Sequence, residues 1–337
     1  MKNVRNILSC AFVAMACACG AMAPARAEDR KVVLSQLFQS IQLLPVYVAI
    51  DGGFFRAQGL DVTKQTAGSA NAALSALISK SADFSLHGPE WTAIAAEKGA
   101  SVQVVASVVS RPSFWIAAAP DFKFQSVSDL KGETVVAGLM PTTSTSLFMK
   151  LLKQNGLEPK TDVKITQVQI GSELGPLLAG QARVAVLYQP GLDQAVAQGM
   201  KVVYGFSQLY DEYTVAAIST RKDVDPDTAQ RFVTGLQNAL VFMQDNPERT
   251  KDIARQEFPS LPPAVVDAAV TRMLNEHIYS TSVAISQKAF EAAMQTQVDL
   301  GNLKAMPGYT EVVNDTYARK DTHAREDTHT RKGLSAN

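Results

Sequence analysis

Residues 31–64 read KVVLSQLFQSIQLLPVYVAIDGGFFRAQGLDVTK, and this stretch decides the fold class. Val32, Val33 and Leu34 form a short β-branched and aliphatic run, the pattern of a strand buried in a parallel sheet. Ser35 to Gln42 is a polar loop interrupted by Phe38 and Ile41. Pro45 suits the first turn of a helix, where its missing N–H costs nothing, and Val46, Ala49 and Ile50 keep helical spacing. Gly52-Gly53 permits the left-handed turn that ends the helix. Gly59 then leads into Leu60, Val62 and a second strand. In such a β-α-β unit ligands bind beyond the carboxyl ends of the strands. Gln36 and Phe38, on the loop after the first strand, are therefore candidate ligand-binding residues.

Outward from this unit the pattern repeats. Ala67 to Asn71 is a small-residue loop opening a helix over Ala72 to Ile78. Gly68, Ser69 and Asn71 are candidates there, because backbone N–H groups at a helix start suit an anion or a ring carbonyl. Ordinary capping by Ser69 or Asn71 would explain them equally well. Asp83 to Leu86 is a third strand, with His87, Glu90 and Trp91 beyond its carboxyl end. Trp91 can stack on a flat ligand and Glu90 can accept from an amino group. The plainer alternative makes Trp91 a core residue and Glu90 a solvated first-turn acid. Val102 to Val109 is a buried strand ending at Arg111, which can hold a sulfonate, carboxylate or phosphate in a bidentate contact or simply sit at the surface.

Ser113 to Ala119 is a further apolar strand, and Thr134 to Ala137 another. Thr142, Thr143 and Ser144 open a helix from Leu147 to Gln154; they can cap it, and they can also donate hydroxyls and amides to a ligand. Val163 to Val168 and Ala182 to Leu187 are strands, the latter running into Tyr188 and Gln189 at its carboxyl end. Either could meet a ligand; packing between lobes is the alternative for Tyr188. Tyr213 to Ser219 reads as a returning strand, and from Asp225 onward the period is helical.

Four segments carry a resemblance: PVYVAIDGGFFRAQGLDV, AGSANAALSALISKSADFSLHGP, SDLKGETVVAG and LLAGQARVAVLYQPGLDQAVAQG. Their order and spacing across residues 31 to 220 resemble the substrate-binding proteins of nitrate/sulfonate/taurine-type ABC importers, the broad family that includes thiamine-precursor binders. The resemblance implies an α/β fold of two lobes, of the type II-like periplasmic binding protein kind, with the ligand cleft between them. It implies lobe one at residues 28–118 and 206–317, lobe two at 119–205, and C-terminal helices completing lobe one. The Ser69 and Thr142–Ser144 loops would then face each other as a clamp. Hinge closure is expected near Ala117 to Ala119 and Tyr204 to Tyr213. A membrane permease is the partner the family implies.

Lys2 and Arg5 precede an apolar run from Ile7 to Ala23, and Ala25-Arg26-Ala27 is a cleavage pattern, so residues 1–27 read as a signal peptide for the periplasm. All three cysteines, Cys10, Cys17 and Cys19, fall inside it, which leaves the mature chain without thiol chemistry; lipid attachment at Cys19 is the alternative. Residues 318–337 are polar and read as a disordered tail.

Composition is that of a soluble globular protein, 46% hydrophobic and 19% charged. Basic and acidic residues number 32 each, so loss of Lys2, Arg5 and Arg26 leaves the mature chain slightly acidic. That balance does not fit a nucleic-acid or membrane-surface protein, and no integral membrane segment is expected in the mature chain. No phosphate loop, dinucleotide fingerprint or nucleophile elbow is present. No metal, no cofactor and no catalytic residue is expected, and the chain is read as a monomer that binds without turnover. Two ligand classes stay open: a pyrimidine-like aromatic heterocycle, or a small anion such as a sulfonate, taurine or nitrate. A pyrimidine-synthase-like enzyme would resemble the same family but needs a cysteine-rich iron motif, and a sensor receptor is a further alternative.

Overall fold

The opening unit folds as its pattern requires in the computed structural model, which describes residues 28–319. Strand β1 (Arg30–Gln36) leads through a 3-10 turn at Ile41–Leu43 into α1 (Leu44–Asp51), with Pro45 in its first turn. Gly53 takes the left-handed φ of 75° that ends the helix. Strand β2 (Leu60–Thr66) then pairs with β1 in parallel, from Arg30 opposite Leu60 to Gln36 opposite Thr66.

The chain continues through α2 (Ala70–Ile78), β3 (Phe84–His87), α3 (Pro89–Glu97) and β4 (Val102–Val109). A second set follows: β5 (Phe114–Ala118), β6 (Thr134–Gly138), α4 (Thr143–Gln154), β7 (Lys164–Val168), α5 (Leu174–Leu178), β8 (Val184–Tyr188), α6 (Gly191–Ala197) and β9 (Lys201–Gly205). Strand β10 (Ala216–Arg221) returns to the first sheet. The two five-stranded sheets have the orders β2-β1-β3-β10-β4 and β7-β6-β8-β5-β9.

The two orders are one plan used twice. In each sheet three parallel strands are followed by one antiparallel strand that has just crossed over: β10 against β3 and β4, and β5 against β8 and β9. The crossings are residues 110–113 and 206–215, so the fold is a two-lobed α/β structure. The expected end of lobe one at residue 118 therefore moves. Phe114–Ala118 is paired on both edges within the second sheet, and Ser110 to Ser113 is the linker. The apolar run of β5 showed a strand but carried no sign of which sheet it joins.

Helices α7 (Pro226–Asp245), α8 (Pro247–Glu257), α9 (Pro263–Asn275), α10 (Gln287–Asp299) and α11 (Tyr309–Val312) complete the described chain. Phe232 of α7 stacks on Phe55 at 4.5 Å and on Phe84 of β3 at 4.1 Å, which seats α7 on lobe one. Helices α9 and α10 reach further: Arg272 pairs with Asp193 of α6, and Asp299 with Lys150 of α4. The expectation of C-terminal helices on lobe one is thus widened by contacts to lobe two. Ala318, placed in the tail by sequence, is 1% exposed and helical, because Tyr317 beside it is an apolar anchor at 7%. The signal peptide and the remainder of the tail lie outside the described residues. No helix among the described residues is long and apolar enough to cross a membrane.

Candidate functional site

The carboxyl ends of β1, β3, β6 and β8 converge where the lobes meet, around a small cavity of about 20 Å3. That is room for roughly one water molecule. Lobe one supplies Leu37, Phe38 and Gln42 from the loop after β1, His87 to Trp91 at the start of α3, and Val215 and Ala216 at β10. Lobe two supplies Thr142 and Thr143 at the start of α4, Ile170 after β7, and Tyr188 ending β8. Hollows of about 580 Å3 lie elsewhere, between α3 and the Leu303–Val312 segment and between α7 and α9, away from these strand ends.

Glu90 dominates the electrostatics. Its side chain sits in the first turn of α3 and is 3% exposed, so burial pushes its carboxyl from the usual 4.5 up to about 7. Hydrogen bonds from its own amide and from Thr143 oppose that shift. The Thr143 contact crosses between lobes: Thr143 Oγ1 donates to Glu90 Oε1 at 3.1 Å, and the Thr143 amide adds to it. Thr142, the N-cap of α4, does not cap the helix with its side chain but donates Oγ1 to Leu139 O at 2.8 Å. The unsatisfied amides at that helix start form a seat for an anion. Glu90 of the opposite lobe occupies it.

A second buried carboxyl lies next to this seat. Glu173 is 2% exposed, and burial pushes it up to about 7 as well. Its Oε2 accepts from the Gly171 amide at 2.8 Å, whereas Oε1 has no partner. A Cβ at Gly138 would come within 3.2 Å of both Glu173 Oε1 and Thr142 Oγ1, so a larger residue there would press on both side chains. Burial raises the Tyr188 hydroxyl far above the usual phenol range; a hydrogen bond with Ser144 opposes this, and the charges of Glu173 and Glu90 add to it.

Against these acids the cavity wall offers no lysine or arginine. His87 does not supply a charge: burial drives its imidazole down to about 4, so it is neutral near pH 7. Ser85 Oγ lies 2.9 Å from Nε2 and Gly88 O lies 2.9 Å from Nδ1, which engages both ring nitrogens. Aromatic contact joins the lobes, with Phe38 edge-on to Tyr188 at 5.6 Å. Around the rim, Ser40 Oγ donates to Gln189 O and Gln169 Nε2 to Gly68 O, each at 2.5 Å.

Half of the residues singled out from sequence meet here. Phe38, His87, Glu90, Trp91, Thr142, Thr143 and Tyr188 line the cavity, and Ser144 stands behind Tyr188. Trp91 also packs against Leu74, Leu77 and Val102, as the core alternative supposed. The others are used differently. Gln36 accepts from Tyr47 and donates to Thr66, both at 2.9 Å, so its amide is locked inside lobe one. Ser69 Oγ accepts from Ala72 N at 3.1 Å as an ordinary cap, and Asn71 is exposed. Gly68 touches the other lobe only through its carbonyl. Gln189 donates to Asp193 at 2.5 Å, drawn outward by the Arg272–Asp193 pair. Arg111 lines a separate hollow of about 320 Å3 with Ser110, Glu212 and Tyr279, because the chain turns at Pro112 toward lobe two. Sequence reasoning passed over Gln42, Ile170, Glu173, Val215 and Ala216. Gln42 and Glu173 were legible as polar residues next to strand-end loops, but the apolar three carried no signal. Among the described residues no group of three or more His, Cys, Asp or Glu side chains is placed to hold a metal.

The family model described as NMT1/THI5 like matches residues 40–250, which takes in the cavity-lining residues from Gln42 to Ala216 but not β1, Leu37 or Phe38. The chain belongs to this family. The Bacillus subtilis protein YtlA is 22% identical over 310 residues, covering 89% of this chain and 93% of its own. Among solved structures, the alkanesulfonate-binding protein SsuA of Xanthomonas axonopodis, bound to MOPS, is 17% identical with a TM-score of 0.68, over 86% of this chain and 97% of its own. The periplasmic nitrate-binding protein NrtA of Synechocystis is 16% identical with a TM-score of 0.70, over 88% and 89%. The desulfurization enzyme DszB shares the fold too, at 12% identity and a TM-score of 0.65, over 88% and 99%. At these identities the likeness is one of fold alone, a fold carried by binding proteins and by at least one enzyme.

Proposed function

We propose that this chain is the periplasmic solute-binding component of an ABC importer. Its ligand is a compact aromatic heterocycle bearing an amino group, of the pyrimidine or thiamine-precursor class. One observation carries the choice of ligand. The helix start that could hold an anion is filled by Glu90 of the opposite lobe, in a cavity whose wall has no lysine or arginine and whose one histidine, His87, is neutral near pH 7. Above about pH 7 Glu90 is a buried carboxylate that favours an N–H donor and repels an oxyanion, and below it the carboxyl still accepts from an N–H group. Tyr188 and Phe38 supply the flat apolar surface such a ring needs.

Sites for small molecules occupy about 300–1,000 Å3, far more than the roughly 20 Å3 between the touching lobes. The ligand therefore enters an opened form, in which the Glu90–Thr143, Ser40–Gln189 and Gln169–Gly68 contacts are parted. Closure is a population shift driven by contacts that exist only when both lobes face the ligand. The second reading, capture of a sulfonate or nitrate, draws on the names of SsuA and NrtA and on the α4 helix start itself.

Thermal unfolding of protein first denatured and refolded, run against pyrimidines, alkanesulfonates, taurine and nitrate, separates the two. A ligand at 100 times its Kd adds about 2.7 kcal/mol and raises Tm by several degrees. A rise with aminopyrimidines and none with anions is expected. A rise with anions alone overturns the heterocycle reading. Product formation from any of these compounds by purified protein would overturn the assignment as a binder.

A further inference from the structure

We propose that Gln42 is a second residue that reads the ligand, so that the site takes a ring with two N–H donor groups rather than one. This rests on the heterocycle reading above and narrows it. Gln42 lines the cavity and is 4% exposed, yet its Oε1 is buried with no hydrogen-bond partner. Its position is fixed rather than slack. Ser40 Oγ accepts from the Gln42 amide at 3.1 Å, and Tyr279 donates its hydroxyl to the carbonyl of neighbouring Ile41 at 2.7 Å. Ile41 and Leu43 on either side are fully buried, so the turn presents Gln42 to the cavity as its only polar side chain.

An orphan acceptor inside a protein is costly, and native structures keep one where something else supplies the donor. The rest of the wall does not. Thr143 Oγ1 is spent on Glu90, Thr142 Oγ1 on Leu139 O, and both nitrogens of His87 are engaged. Trp91 Nε1, also on this wall, is a buried donor without a partner and makes no bond to Gln42, so Gln42 Oε1 still lacks a donor. A ligand that satisfies it brings one N–H group to Glu90 and a second to Gln42. A site built around such a bond discriminates strongly against the analogue that lacks the group.

The test compares 2,4-diaminopyrimidine with 4-aminopyrimidine by calorimetry on refolded wild type, Gln42→Met and Gln42→Glu, with Tm recorded for each variant. Wild type is expected to bind the diamino ring about tenfold tighter, and Gln42→Met to bring the two rings within about twofold by weakening the diamino ring alone. Gln42→Glu keeps the size and strengthens the acceptor, so it should widen the preference; it stands in if the methionine variant does not fold. Equal binding of the two rings by wild type, or an equal loss of both in the variants, overturns the role of Gln42 while leaving the heterocycle reading intact. Binding of neither ring by wild type overturns both.

Discussion

Two helix starts that look alike in sequence behave differently in the fold. Ser69 and Thr142 each open a helix after a strand of their own sheet, and both loops are rich in small and hydroxyl residues. In lobe one Ser69 turns its Oγ onto Ala72 N, and the helix start is satisfied within its own loop. In lobe two Thr142 spends its hydroxyl on Leu139 O, and the Thr143 amide and hydroxyl are met by Glu90 from the opposite lobe. A helix end that caps itself is a structural feature; one left open for a distant group is where lobes and ligand can couple.

Substitutions at the open end should break this contrast most sharply. Glu90→Gln removes the charge that an amino group would meet and is expected to weaken 4-aminopyrimidine binding about a hundredfold, read by calorimetry. The same variant tests the cost of burial through pH. The folded state holds a proton on Glu90 up to about pH 7, whereas the unfolded chain releases it near 4.5. Between those values the folded state binds more protons, so stability falls as pH rises. Urea unfolding of ligand-free protein should show Glu90→Gln more stable than wild type by up to about 3 kcal/mol at pH 8 and equal to it at pH 4.

Thr143→Val takes away the hydroxyl that crosses to Glu90, and a loss of about 2 kcal/mol in unfolding free energy is expected at pH 8, shrinking at low pH. Ser69→Ala at the self-capped end should cost about 1 kcal/mol of stability and leave ligand affinity unchanged, which calorimetry beside urea titration would show. Arg111→Ala is expected to do least, within about 0.5 kcal/mol in stability and without effect on any ligand. An anion whose affinity falls with that change would move the site to the hollow beside Tyr279.

Much of this fold could be read from residue order because local patterns determine it. Pro45 and Gly53 bracket α1, and the mostly apolar β4, broken only by Gln103 and Ser107, is buried throughout. The membership of β5 was not legible, since an apolar run does not state its partners and a four-residue linker leaves no compositional trace. At the site, the residues beyond strand ends that line the cavity are those short of local partners, as at Glu90, Thr143 and Tyr188. Others are engaged by a neighbour instead: Gln36 by Tyr47 and Thr66, Gln189 by Asp193, Ser69 by its own helix. Those pairings span up to thirty residues and depend on register, which spacing in the chain does not reveal.

The central claim is that Glu90 fills the anion seat at the start of α4 and thereby selects an N–H donor. Calorimetric titration of refolded wild type and Glu90→Gln with 4-aminopyrimidine and with an alkanesulfonate tests it most directly. Wild type should bind the aminopyrimidine and not the sulfonate, and Glu90→Gln should lose the aminopyrimidine. Sulfonate binding by wild type, unchanged in Glu90→Gln, would contradict the account.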